Sequence, residues 1–297
     1  MDNPGCELLV QGDSPILVIT PHTGTYIPSE LLQHAGLVPV QGRVADPAGL
    51  VLQSAARDSG ASLIAARYHP CEIDFMVGVD SLPLSSGLIR GRLCRTHTSH
   101  GEDLYALRTE LSAEEVEMRV EKYWRPFHRR IAEELERLRS KHSHVLLFVS
   151  HASGWLSLYR GRSTGRDCNI GTNQGKACSR QLVAALTETI QAQGRSWVVN
   201  GNSVELFTSQ HYGNPVGGVH VIEAEISGRW RSDCAAQVDE ALVGSNRQAA
   251  VLATLSDDQV NCGRAMTLLL TALEGGLRSL PAIPRPHESW RADASSP

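Results

Sequence analysis

The stretch Ser14–Pro28, SPILVITPHTGTYIP, decides how the rest of the chain is read. Its apolar run, Ile16–Ile19, is short and rich in β-branched residues, and it stops at Pro21-His22-Thr23-Gly24. A continuous apolar run of this length bounded by turn residues is a strand buried on both faces. Comparable runs recur at Ser62–Ala66, Val145–Ser150, Trp197–Asn200 and Val219–Ile226. Helical patterns lie between several of them. The clearest covers Ala113 to about Lys141, with Ser112 and Glu115 spaced as a capping box. Pro126 is expected to kink or interrupt it. A second helix is expected over Ala177–Ala192, and a third after Ser256, with Gln259 in its first turn, ending near Gly275-Gly276. Strands alternating with helices predict a three-layer α/β/α fold with a mostly parallel or mixed central sheet.

Residues 1–280 read as a single α/β domain, and the proline-rich, polar segment 281–297 reads as a disordered tail. The 297 residues are 41% hydrophobic and 20% charged, an ordinary globular composition. A net charge of -4 without a basic block argues against nucleic acid as a partner. No apolar run approaches the roughly 18 residues of a membrane span, and the N-terminus has no secretory-signal pattern. Seven cysteines without a C-x-x-C pair predict free thiols in a reducing, cytoplasmic setting.

In α/β folds of this kind, sites gather at the carboxyl ends of strands. His22 follows the first apolar run, and His151 follows the third in VLLFVSHASGW. In the last, VHVIEAEISGRW, Val221, Glu223 and Glu225 share one face. Two acids in an apolar strand need a partner, exposure or a place near its end. Two strand-end histidines plus a carboxylate are able to form a catalytic zinc site with one position open to water; Asp46 in GRVADPAG and Asp74 in PCEIDFM lie between the two histidines along the chain. Glu225 then suits the role of base. Each residue alone also has a plainer reading: His22 and His151 as turn histidines, Glu225 as a paired structural acid, and Asp46 as an Asp-Pro turn or helix start. His128 reads as packing or surface, His142 and His144 as loop residues. The loop GTNQGKACS, Gly171–Ser179, lacks P-loop spacing and an evident preceding strand. No G-x-S-x-G elbow is present.

At these same residues the chain resembles the N-formylglutamate amidohydrolase family. The matching pieces are PILVITPHTGTYIP, GASLIAARY, GEDLYA, EKYWRPFHRRI, LLFVSHASG, NIGTNQGKACS and FTSQHYGNPVGGVHVIEAEI, spread from about Pro15 to Trp230. The resemblance implies a zinc-dependent hydrolase that cuts an amide in a small molecule, on a core similar to zinc carboxypeptidases. Carried over by position, it implies one zinc per chain held by His22, His151 and an acid, for which Asp46 fits best, with Glu225 as general base. Asn173 and His220 fall in matching segments and are substrate-binding candidates.

The departures are as specific as the matches. The family's Asp-Ala-His-Ser is here Val149-Ser150-His151-Ala152, and its Asp-Leu-Asn-Arg is Asp74-Phe75-Met76-Val77. That arginine suits an acidic substrate, so Arg67, Arg92 and Arg95 become candidates to replace it. The expected substrate is an N-formyl, N-acyl or other amide less acidic than formylglutamate. A member that has lost catalysis and binds a ligand or regulates is the alternative.

Overall fold

The computed structural model describes residues 7–29, 31, 32, 37, 42, 44–79, 93–96, 103–105, 111–152, 166–201, 207–244 and 262–285. Among them seven strands form one sheet: β1 (Glu7–Val10), β2 (Ile16–Thr20), β3 (Ser62–Ala66), β4 (Val145–His151), β5 (Cys168–Gly171), β6 (Trp197–Val199) and β7 (Val219–Ile226). Their spatial order is β1-β3-β2-β4-β7-β5-β6. The inner four, β3, β2, β4 and β7, run parallel. β1 is antiparallel to β3 and β5 to β7, while β6 is parallel to β5. The sheet is therefore mixed.

The helices are α1 (Pro47–Asp58), α2 (Ala113–Arg119), α3 (Arg125–Lys141), α4 (Arg180–Ala192), α5 (Phe207–Tyr212), α6 (Gly228–Gly244) and α7 (Cys262–Ser279). Strand alternation sorts the core into two layers. Leu17, Ile19, Leu147, Val149 and Val221 pack with Val116, Phe127, Ile131 and Leu138 of α2 and α3. Ile16, Val18, Leu146, Phe148 and Ile222 pack on the other face with Leu52, Leu186 and Leu269 of α1, α4 and α7. Each such fully buried side chain contributes about 1.5–3 kcal/mol. The result is a three-layer α/β/α fold, as the alternation of strands and helices predicts.

Several local features differ from the sequence reading. Pro126 goes with the expected interruption, but in a specific form: the α-helix gives way just before it to a π-helical turn, Val120–Trp124, in which the Arg125 N–H reaches back five residues to Val120 O. Proline has no N–H for the ladder, so the register shifts just before it. Ser112 caps α2 by accepting from Glu115 N, but the Glu115 carboxylate turns to Arg119 Nη2 (2.5 Å) and leaves the capping box half made. α4 starts at Arg180 rather than Ala177, because Ser179 is the capping residue with extended backbone. β5 does precede GTNQGKACS; only four residues long and interrupted by Asn169, it carries too little apolar pattern to be read from sequence.

Ser256 and Gln259 lie outside the described residues. α7 runs through Gly275-Gly276 to Ser279, where buried Leu273 and Leu277 outweigh the roughly 1 kcal/mol per glycine. Beyond it, His144 binds Pro281 O (2.8 Å) and Arg139 binds Pro284 O (3.2 Å), so the segment expected to be a tail begins against the body of the protein. No helix among the described residues is long and apolar enough to cross a membrane.

Candidate active site

Parallel pairing of β2, β4 and β7 delivers three strand ends to one edge of the sheet, and with them His22, His151, Glu223 and Glu225. The register opposes Val149 to Glu223 and His151 to Glu225. Both acids therefore lie on the face shared with Val149 and Val221, while Ser150 faces the opposite layer.

His22 is buried and both its ring nitrogens are engaged. Nδ1 accepts from the Ala152 N–H (3.0 Å), and Nε2 lies 3.0 Å from Asp74 Oδ1. A backbone amide only donates, so the imidazole proton sits on Nε2 and is given to Asp74. Asp74 Oδ1 also accepts from Met76 N (2.9 Å), and Arg95 Nη2 stands 3.5 Å from Oδ2. Burial works to raise the Asp74 pKa, but the His22 imidazole, the Arg95 guanidinium and the Met76 N–H outweigh it, leaving the group well below the usual carboxylate range. His69, buried beside this pair, accepts from Cys71 N at Nδ1, and burial together with His22 lowers its pKa to about 4.

The His151 ring stands edge-on to that of His22, 6.3 Å between centroids. Its Nε2 is 4.0 Å from Glu223 Oε2, beyond hydrogen-bond reach. Glu223 is held from its other oxygen: Thr208 Oγ1 (2.5 Å) and Ser209 N (2.8 Å) of α5 donate to Oε1. Glu225, half-buried, lies opposite His151 on β4 and Asn169 on β5.

The expected zinc centre is corrected here. Among the described residues no group of three or more His, Cys, Asp or Glu side chains is arranged to hold a metal ion. The bonding explains why. Asp46, the expected third ligand, does not join His22 through its side chain; its Oδ2 accepts from Ser150 Oγ (2.7 Å), and only its backbone N reaches His22 O (3.1 Å). The acid that meets His22 is Asp74, and it takes the Nε2 proton that a metal would displace. The donor set does not fit the one zinc per chain that the resemblance implied.

The substrate-binding candidates scatter. Arg95 reaches the centre through Asp74. Arg67, exposed at the end of β3, donates from Nε to Glu7 O (3.2 Å). Arg92 lies outside the described residues. His220 sits at the amino end of β7, five residues before Glu225 and thus roughly 16 Å from it along the strand. There its Nδ1 accepts from Ser179 N and its Nε2 meets His144 Nδ1 (3.1 Å), and burial with His144 lowers its pKa to about 4. Asn173 follows β5, whose antiparallel course carries it to that same far pole. Val77, at the family's arginine position, is buried in the core, and the Trp124 indole donates to its carbonyl (2.9 Å).

Sequence reasoning left Asp74, Glu223, His69, Thr208 and Ser209 without roles. The signal for Glu223 was present in the shared face of two acids, and that for Asp74 in its place within the altered Asp-Leu-Asn-Arg segment. What selected them is the β4–β7 register and the packing of the segment after β3.

Comparison with known proteins supplies the family and the fold. The chain is 34% identical over 222 residues to an N-formylglutamate deformylase of Pseudomonas aeruginosa, covering 73% of this chain and 82% of that one. It is 32% identical over 222 residues to an N-formylglutamate deformylase of Pseudomonas putida, covering 73% and 81%. In fold it is similar to the N-formylglutamate amidohydrolase of Ralstonia eutropha JMP134, with a TM-score of 0.67 at 16% identity over 92% of this chain and 98% of that one. A gene product of Agrobacterium tumefaciens shares the fold with a TM-score of 0.63 at 13% identity over 93% and 96%. The sequence model of N-formylglutamate amidohydrolase matches residues 14–230, and the chain belongs to that family.

Proposed function

We propose that this protein is a hydrolase that cleaves the amide bond of a small N-formylated or otherwise N-acylated compound. The observation that carries the reading is the convergence of His22, His151, Glu223 and Glu225 at the carboxyl ends of adjacent parallel strands in a chain of this family. Glu225, near the open end of β7, takes a proton from water as the oxygen attacks the carbonyl carbon. His151 gives a proton to the departing nitrogen, so water and amide become acid and amine. Glu223, pinned by Thr208 and Ser209, stands 4.0 Å from His151 Nε2 and fixes a carboxylate beside that ring. Hydrogen bonds on both sides fix His22 and Asp74 as the rigid wall of the site.

The test is release of amine from a panel of N-formyl and N-acetyl amino acids. Glu225→Gln should lower kcat by about a hundredfold or more, the scale of general-base catalysis, with the circular dichroism spectrum unchanged. A wild-type protein that cleaves no member of the panel would overturn the reading. That result would favour a ligand-binding or regulatory protein instead. One observation already points that way: His22 is hydrogen-bonded to Asp74 and to the Ala152 N–H, and Ser150 to Asp46.

A further inference from the structure

A cavity of about 370 Å³ opens between the end of β3, helix α1 and the segment Thr23–Tyr26. Its size is that of a site for a small molecule. Leu8, Leu50, Ala65, Ala66 and the rings of Tyr26 and Tyr68 make most of its wall. Among the described residues no Asp or Glu lines it. Thr23 does line it, and Thr23 is bonded to His22, so the cavity begins one residue from the reaction centre. Its wall is tightly built: Tyr26 N donates to Arg67 O (3.0 Å) and His69 N to Tyr26 O (2.9 Å).

Two polar groups in the wall have bonding capacity to spare. Gln53 Nε2 is committed to Thr20 Oγ1 and Thr23 Oγ1, each at 2.9 Å, whereas its carbonyl oxygen has no partner among the described residues. Arg67 commits Nε to Glu7 O, whereas its two terminal nitrogens have no partner among the described residues. An acceptor within an apolar cavity and a guanidinium edge at its mouth match an amide N–H and a carboxylate.

We propose that this cavity takes the amine half of the substrate, and that this half is an amino acid with an apolar or aromatic side chain whose α-carboxylate is held by Arg67. The proposal rests on the amide-hydrolase reading and names its substrate class. An acidic side chain is disfavoured on the same observations. Arg95 is set against Asp74, and Val77 is buried. With Arg67 taken by the α-carboxylate, a second carboxylate would meet no further cation among the described residues of the wall and would lose its hydration.

The experiment is steady-state kinetics on N-formyl-L-phenylalanine, N-formyl-L-leucine and N-formyl-L-glutamate, with wild type, Arg67→Ala and Leu50→Trp. Wild type should favour the two apolar substrates over the glutamate by tenfold or more in kcat/KM, about the discrimination that one unpaired polar group produces. Arg67→Ala should raise KM for N-formyl-L-phenylalanine roughly tenfold, the loss of a charge-assisted contact, and leave KM for the corresponding carboxamide in place. Leu50→Trp, which fills the cavity, should weaken both apolar substrates. Preference for the glutamate, or an unchanged KM in Arg67→Ala, overturns the proposal while the hydrolase reading stands. If no amide is cleaved, that reading fails and calorimetric binding of N-acetyl-L-phenylalanine decides: binding that Arg67→Ala abolishes upholds the cavity, and no binding to wild type overturns it.

Discussion

Lowering the pH from 7 to 5 should weaken the fold through His128, and the size of the effect follows from its surroundings. The residue lies on α3, 6% exposed, between the Trp124 ring (4.0 Å between centroids) and the stacked Tyr212 ring. Nε2 donates to Phe75 O (2.9 Å), and Nδ1 meets the Tyr212 hydroxyl (2.8 Å). Burial pushes its pKa from 6.5 down to about 3, against the opposing pull of the Phe75 carbonyl. A base whose folded pKa is depressed is protonated first in the unfolded chain. Its neutral form therefore costs nothing above 6.5, and stability is lost as pH falls through the window from 6.5 to about 3. At pH 5 the unfolded imidazole is nearly all charged and the folded one nearly all neutral. One and a half units below 6.5, at 1.36 kcal/mol per unit, amounts to about 2 kcal/mol. Glutamine at this position can still donate to Phe75 O and does not titrate. Denaturant unfolding of wild type and His128→Gln at both pH values isolates the effect, since other groups cancel in the difference. Wild type should lose about 2 kcal/mol more than the variant on acidification. Equal losses would refute the reasoning.

Two further perturbations test the walls of the site. Gly24→Ala would place a Cβ 2.1 Å from Tyr68 O, a backbone atom that cannot step aside, so a destabilisation of about 3 kcal/mol or more is expected in thermal unfolding. Asp74→Asn should cost about 1.5–3 kcal/mol at neutral pH by weakening its hydrogen bonds to His22 and Met76. Because the folded pKa of Asp74 is depressed, this contribution is present above its unfolded value of 3.8 and is lost only as pH falls below it, so wild type and variant should converge in strong acid.

How much of this was legible beforehand differs by element. β2 and β3 carry their boundaries in plain apolar runs, because strands buried on both faces hold few polar residues to blur the pattern, and β7 keeps its bounds although His220, Glu223 and Glu225 interrupt it. β1 and β5 do not: β1 is an edge strand only partly buried, and β5 is four residues with an asparagine and a glycine. Helix α1 is not distinct in the sequence, because Asp46-Pro47 reads equally as a turn or as a helix start. Buried His144 and His220 looked like a loop residue and a substrate contact. They instead form a chain from Ser179 N to Pro281 O that ties α4, β7 and the segment after α7 together.

The site divides along the same line. Composition and periodicity determined a three-layer α/β/α protein with His22 just past one buried strand and His151 at the end of another, since strand ends are fixed by where apolar runs stop. Which acids meet those histidines depends on register and loop packing, which act between residues far apart in the chain. Asp74 is 52 positions from His22, and Glu223 reaches toward His151 across the β4–β7 pairing. A one-residue slip in that register would turn Glu223 to the other face of the sheet. The sequence alone thus located the histidines, and only the tertiary structure assigned their partners: Asp74 rather than Asp46, Glu223 beside Glu225, and hydrogen bonds where a zinc ion was expected.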